Sequence, residues 1–578
     1  MRLKLFLTYV FSFLFILSNA QTFITNVTVA DVEKQTLLPN RTVVITNDQI
    51  TAIVSKKIKI PENATIIDGS GKFLFPGLTD AHVHFFQNGG LYTRPDVIDL
   101  RKFQSYEKEM ELAHTTMEDK LRRYLQNGIT NVIDVGASYA YLKQREQFVN
   151  KSFAPSIYMT GPLLTTYKPP IYELEREETP FSLVKSIEEG IKMVQEQLPY
   201  RPDFIKIWYI AGADGLTPEA SARKNLPIIK ASIDEAHKHN LKVAVHATER
   251  ITAQLAVENG CDILVHSIDN EILKDDFIQL LKKKKTILCP TVIVGDGYMN
   301  TLGQKLSISQ HELLRADPFQ LGTLMDLKHL SDTALINRYK TMVNSPLQVE
   351  KQKKENANIT QNLKLLADAG VLIATGTDAG NIGTLHASSY LNELLAMSAA
   401  GMSNWQILQA STINGAKLVS KEKEFGSITP GKKANLILLS ANPVEKLENI
   451  TKIELVINRG IQVKPDTLIK ETPEALAQRQ LNAYNQGNIE AFLEPYADDV
   501  ELYQFPDKLL GKGKEGMRKS YAQFFENNPT LHCHLLGRTV KGSTVIDQER
   551  VIFSGGMMEA IAIYQIENNK IKKVYFIQ

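Results

Sequence analysis

This chain of 578 residues has few cysteines, little net charge and, past its first twenty residues, no long apolar run. Three cysteines, Cys261, Cys289 and Cys533, are too few and too scattered for a disulfide framework. Cys261 and Cys289 fall in or beside apolar strand-like segments, where small core residues are expected. Sixty-six basic against sixty-four acidic side chains leave a net charge of +2, with no concentrated basic face for nucleic acid or an acidic membrane. The one dense basic cluster, Leu281 to Lys285, reads as a solvated helix end. No segment after the N-terminus is long enough to span a bilayer, so no integral membrane segment is expected in the mature chain.

At the N-terminus Arg2 and Lys4 precede the apolar run Leu5–Leu17, and "SNA" ends at residue 20. These are the parts of a cleavable signal peptide over 1–20, implying a soluble exported protein, periplasmic or secreted. Without a cysteine after the cleavage site, a lipid anchor is not expected.

A length of 578 residues implies two or three domains. Short alternating strands with turn signals occupy 21–75 and return over 425–466, so the two flanks are expected to pair into one small composite β-sandwich. Between them, over 76–424, eight short apolar segments alternate with helical stretches, from "GLTDAHVHF" through "DFIKIWYI" and "KVAVHATE" to "GVLIATGTDAG". Apolar runs separated by helices indicate a parallel sheet covered on both faces, and eight of them suit an α/β fold of the (β/α)8 TIM-barrel type. The stretch from Gly295 to Ala369 exceeds one crossover helix and is expected to form a lid or extra helices. From 471 to 578 a helix capped by Thr472 with Pro473 at its first position is followed by strands, a separate α+β domain.

In such a barrel the chemistry sits at the C-terminal strand ends. The polar residues there are His82 and His84 on the first strand, Lys206 on the fourth, His246 on the fifth, His266 on the sixth and Asp378 on the eighth. Residues i and i+2 of a strand share a face, so His82 and His84 can reach one ion. Imidazoles and a carboxylate suit zinc and similar divalent metals. Lys206, in an otherwise apolar strand, is costly as an unpaired cation; neutral, it can add carbon dioxide to give a carbamate that bridges two metals. A second His-x-His pair, His532 and His534, has no partners legible in the sequence and reads as ordinary strand residues. His237, His239, His311 and His329 read as surface residues.

The ordered set His-x-His, Lys, His, His, Asp, with "PGLTDAHVH" before it and "GSITPGKKANLILL" after, resembles the amidohydrolase superfamily over Thr22 to Val463. The texture is closest to its imidazolonepropionase-like and Xaa-Pro dipeptidase-like members. The resemblance implies that His82, His84 and Asp378 hold one metal and His246 and His266 a second, with carboxylated Lys206 between two zinc ions. It implies hydrolysis of an amide or dipeptide-like C–N bond in a small-molecule substrate by a metal-activated hydroxide, with Asp378 as general base and His266 among the catalytic groups. Glu249, three residues after His246, is similar in spacing to mononuclear members, in which a glutamate shuttles protons. A one-metal cyclic-amide hydrolase or deaminase using Glu249 therefore stays open, as does a catalytically dead ligand-binding or scaffold protein.

Three substrate-binding candidates come with bland alternatives. Tyr209, beyond Lys206, either touches the scissile carbonyl or packs. His386 lines the mouth or lies on an exposed loop. Arg250 meets a substrate carboxylate or a local acid. The C-terminal segment resembles the nuclear transport factor 2-like cone fold in its SnoaL-like branch. A homo-oligomer formed through it, or control of substrate access, is expected in preference to a second active site.

Overall fold

The computed structural model describes residues 21–56 and 58–577; the signal-peptide segment 1–20 lies outside them. Among the described residues no helix is long and apolar enough to cross a membrane.

The barrel strands are Leu78–Val83, Ile129–Asp134, Ser156–Met159 continued by Leu163–Thr165, Ile205–Trp208, Val243–His246, Ile263–Val265, Ile287–Cys289 and Leu372–Ile373. All pairings between them are parallel. The third breaks at Gly161–Pro162, because proline cannot donate to a ladder. Its second half then pairs the fourth strand and an added strand, Phe181–Leu183. The ring closes between the eighth and first strands through Ala81 N–H to Thr375 O, Asp378 N–H to His82 O and His84 N–H to Ala379 O, each 2.8 Å. The first two strands are buried at every position, which is why they read as apolar runs instead of alternating ones.

Both flanks contribute to one eight-stranded sheet, in the order Ile461–Val463, Ile453–Asn458, Leu436–Leu439, Phe73–Pro76, Gln21–Asp31, Thr36–Thr46 and Gln49–Val54, with Thr65–Asp68 added beside Gln21–Asp31. Hydrogen bonds join all eight strands into a sheet that branches at Gln21–Asp31, and residues of both flanks share one core. The basic run lies at the exposed end of helix Asp275–Lys284, where cations complement the helix dipole. All three cysteines are buried thiols.

The long insertion folds into five helices, Val294–Leu302, Gln310–Arg315, Pro318–Thr323, Thr333–Val343 and Pro346–Asp368. The first and last two wall the cavity above the barrel. The short middle pair packs on the C-terminal domain, where Asn482 Nδ2 donates to Pro318 O at 2.7 Å. That domain opens with helix Pro473–Asn485, whose Thr472 hydroxyl accepts from Ala475 N–H and whose Leu476 and Leu481 are buried. Helices Ile489–Leu493 and Lys514–Asn527 and a six-stranded sheet complete it.

His329 and the second His-x-His pair are not isolated. His329 Nδ1 lies 2.9 Å from His532 Nε2, and its ring stacks on His534 with centroids 3.6 Å apart. The three form part of the joint between the insertion and the C-terminal sheet, a contact between residues about two hundred positions apart.

Candidate metal centre and active site

A cavity of about 640 Å³ opens at the C-terminal ends of the barrel strands, and His84, Lys206, His246, His266 and Asp378 line it. His82 lies beneath, fully buried. His82 Nε2, His84 Nε2 and Asp378 Oδ1 form a tight triangle with sides of 3.2, 3.3 and 3.1 Å. Two ligands about 2.0–2.1 Å from a tetrahedral zinc stand roughly 3.3 Å apart, so the triangle has the size of one face of a metal site. Asp378 Oδ1 is buried and makes no aligned hydrogen bond, although both imidazole nitrogens lie within 3.3 Å, an arrangement that suits a shared cation. His266 offers a further ligand atom within 4.8 Å of those of His82 and Asp378.

The imidazoles are oriented from behind. His84 Nδ1 donates to Gly136 O at 3.2 Å, leaving Nε2 free. His266 Nδ1 meets the Thr291 hydroxyl at 2.7 Å, which likewise frees Nε2. Asp134 steadies the loop after the second strand by accepting from Phe85 N–H and Gly136 N–H at 3.0 and 3.1 Å. Asp80 points away from the triangle. It accepts from Thr377 N–H and Oγ1 at 3.0 and 2.8 Å and so ties the first strand to the eighth.

Burial holds His82, His246 and His266 well below the ordinary imidazole range, in the neutral form a metal requires, whereas at His84 the carboxylates of Asp134 and Asp378 outweigh burial and raise it to about 9. Burial likewise pushes the Lys206 amine down to about 7. His266 and Asp378 occupy left-handed backbone, with φ of 76° and 59°, and Thr291 does so at 46°. Strain at three side-chain-bearing residues around one cluster marks a place where position outweighs backbone comfort.

The other sequence candidates fall differently. Tyr209 is buried on the opposite face of its strand, its hydroxyl donating to Ala222 O at 2.5 Å. The period of two explains this: Lys206 and Trp208 share the face that lines the cavity, and Tyr209 is turned outward. His386 is buried, neither exposed nor at the mouth. It stacks on Phe85, its Nε2 donates to Gln87 O at 2.9 Å, and its Nδ1 lies 3.0 Å from the Tyr124 hydroxyl. Arg250 pairs with Glu271 at 3.2 Å, the local acid, and does not line the cavity. Glu249, the residue before helix Arg250–Glu258, is not a lining residue either, but its Oε2 is buried without a hydrogen-bond partner.

The cavity wall also contains groups that sequence reasoning passed over. Arg94 is gripped by both oxygens of Asp96 at 2.8 and 2.7 Å and donates to Tyr298 Oη and Asn381 Oδ1. Asn381 in turn donates to the backbone carbonyl of Asp378 at 3.1 Å, connecting this network to the triangle of His82, His84 and Asp378. Arg94 lies 112 residues from Lys206 and in no motif, so only the fold brings them together.

A family model described as the amidohydrolase family matches residues 73–463, and one described as a SnoaL-like domain matches residues 477–574. The 5-methylthioadenosine/S-adenosylhomocysteine deaminase of Carboxydothermus hydrogenoformans is 23% identical over 491 residues, covering 81% of this chain and 95% of its own. An imidazolonepropionase of Porphyromonas gingivalis is 38% identical over 74 residues, 13% of this chain and 18% of its own. Among solved structures, a prolidase complexed with N-methylphosphonate-L-proline superposes with a TM-score of 0.59 at 23% identity, over 77% of this chain and 100% of its own. The ochratoxinase of A. niger does so with a TM-score of 0.58 at 18% identity, over 78% and 97%. At these identities the superpositions speak to the fold.

Proposed function

The chain belongs to the amidohydrolase family and carries a C-terminal SnoaL-like domain, and on that premise we propose that it is a two-metal hydrolase of small amides or dipeptide-like substrates. The observation that carries this reading is the 3.1–3.3 Å triangle of His82, His84 and Asp378 at the floor of a cavity that Lys206, His246 and His266 also line.

His82, His84 and Asp378 would hold one divalent ion and His246 and His266 a second, with Lys206, carboxylated on Nζ, supplying a further oxygen donor; this nitrogen and oxygen donor set suits zinc. When bound, the ions supply Lewis acidity, which acidifies a water and polarises a carbonyl. Asp378 turns Oδ1 to His82 and His84 and Oδ2 toward His266, 3.9 Å away. Oδ2 is therefore placed to take the proton of the attacking water and return it to the leaving nitrogen. Thr291 and the Gly136 carbonyl fix the imidazole orientations. Phe86, Leu163, Phe181 and Trp208 exclude bulk water along the cavity wall.

A panel of dipeptides, acyl-amino acids and cyclic amides, run on metal-replete protein against its Asp378→Asn variant, tests the reading. C–N hydrolysis by the parent and not by the variant supports it. A metal-replete parent inert across the panel contradicts it.

A second reading has its own observation. The orphaned Oε2 of Glu249 sits near Asp269, a cavity-lining acid, and favours a one-metal cyclic-amide hydrolase or deaminase with Glu249 moving the proton. Activity that survives Lys206→Ala and fails in Glu249→Gln would select it. Export rests on the segment 1–20 and is checked by N-terminal sequencing of the mature protein. Self-association through the C-terminal domain rests on exposed Leu509, Leu510 and Met557 and is checked by sedimentation.

A further inference from the structure

A second cavity, of about 440 Å³, lies inside the C-terminal domain and shares no lining residue with the first. Helices Pro473–Asn485 and Lys514–Asn527 and one face of the six-stranded sheet enclose it. Eight of its seventeen lining residues are aromatic and one, Glu549, is charged. The volume lies within the range of small-molecule sites, about 300–1,000 Å³.

The position of Glu549 follows from strand alternation. In Thr544–Phe553 the residues Val545, Asp547, Glu549 and Val551 are the buried set, so two carboxylates face inward. The domain neutralises one of them: Arg538 Nε and Nη2 grip the two oxygens of Asp547, each at 2.7 Å. Among the described residues no lysine, arginine or histidine lies in ion-pair contact with Glu549; Arg538, committed to Asp547, attracts it only from farther away, while Asp547 repels it. What Glu549 has is a set of neutral groups that hold it in place. Its Oε1 accepts from Tyr564 Oη at 3.1 Å, Tyr564 Oη accepts from Gln480 Nε2 at 2.9 Å, and Gln480 Oε1 accepts from Tyr496 Oη at 3.2 Å.

A buried carboxylate without a counter-ion is destabilising, and a glutamine would serve the same neutral contacts without that penalty. Burial accordingly raises Glu549 to about 7. The rings of Tyr484, Phe492, Tyr521 and Phe524 surround the space beside it, and aromatic faces attract cations. With no lysine or arginine in the lining, an anion would meet only the repulsion of Glu549.

We propose that this cavity is a second binding site, for an organic amine with a compact apolar body, in which Glu549 is the counter-ion and the aromatic rings are the walls. The site is independent of the metal cluster and of the reaction catalysed there.

Calorimetric titration of the full-length protein at pH 8 with phenethylamine, 2-phenylethanol and 3-phenylpropanoate tests this. The three probes share a body and differ in charge. The amine should bind saturably, and the alcohol and the acid at least about tenfold more weakly, the scale of a lost buried charge partner. Glu549→Gln should bring the amine to the level of the alcohol. Ala560→Trp, which places an indole in the cavity, should abolish binding with an unchanged melting transition, and it carries the test alone if Glu549→Gln does not fold. Equal binding of the three probes, binding by none, or amine binding that survives Ala560→Trp overturns the proposal.

Discussion

Replacing Thr291 by valine removes one hydroxyl and almost nothing else. Both side chains are β-branched and nearly isosteric, so the strained backbone at φ 46° is no worse served by the variant. What disappears is the 2.7 Å contact to His266 Nδ1, in a site where Thr291 is only 3% exposed. A buried ring N–H left without its acceptor costs about 1–3 kcal/mol. Loss of the group that orients a metal-bound imidazole typically lowers metal affinity about 10- to 100-fold, or roughly 1.4–2.7 kcal/mol. The two estimates agree, so the whole effect should appear as weaker binding at the position served by His266. Competition against a coloured chelator would read this directly. Thr291→Val should release one equivalent of metal at a chelator concentration about 10- to 100-fold lower than the parent, and Thr291→Ser should restore it. If Thr291→Val matches the parent while His266→Ala loses metal, the hydroxyl does not orient the ring and the reasoning fails.

Three further outcomes follow from the same geometry. Asp378→Asn should lower kcat by about 10² to 10⁴, the usual range for a lost general base, while circular dichroism shows the fold intact; near-normal turnover would remove Asp378 from the mechanism. Burial, aided by the neighbouring imidazoles at His329 and chiefly by Lys328 at His532, holds the two down to about 3 and about 4, below an unfolded value of about 6.5. Their neutral forms are thus bound by the fold, and the stability they contribute is full above pH 6.5 and lost as pH falls toward the folded values, at up to about 1.4 kcal/mol per histidine per pH unit. The melting temperature should fall accordingly between pH 7 and 5, and this pH slope should flatten in His329→Asn; an unaltered slope there and in His532→Asn would contradict this. Tyr209→Phe should leave kcat/KM unchanged and lower stability by about 1 kcal/mol, whereas Trp208→Ala should change KM, because only the indole faces the cavity.

How much of this was legible in the sequence depended on whether the information was local. The six candidate metal ligands could be listed because each lies in or just beyond a short apolar strand, and Lys206 stood out as the one charge in "FIKIW". Thr472 with Pro473 announced the C-terminal helix for a similarly local reason. Of the two readings of Tyr209 the packing one holds, because an offset of three from Lys206 turns the side chain to the opposite face. Arg94, Tyr298 and Asn381 went unseen because they meet only when two loops and the helix Val294–Leu302 fold together. The same holds for the stack of His329, His532 and His534, which joins segments about two hundred residues apart. Thr291 was hidden for another reason. A threonine two residues beyond a strand is commonplace, and only the path of the backbone turns its hydroxyl onto His266.

The proposed function requires that the barrel hold two ions with Lys206 carboxylated. Metal analysis of the purified protein, with and without bicarbonate during reconstitution, measures it. The account predicts close to two equivalents of divalent metal per chain with bicarbonate, fewer without it, and at most one in Lys206→Ala. One equivalent in the parent, unaffected by bicarbonate and unchanged in Lys206→Ala, would contradict it.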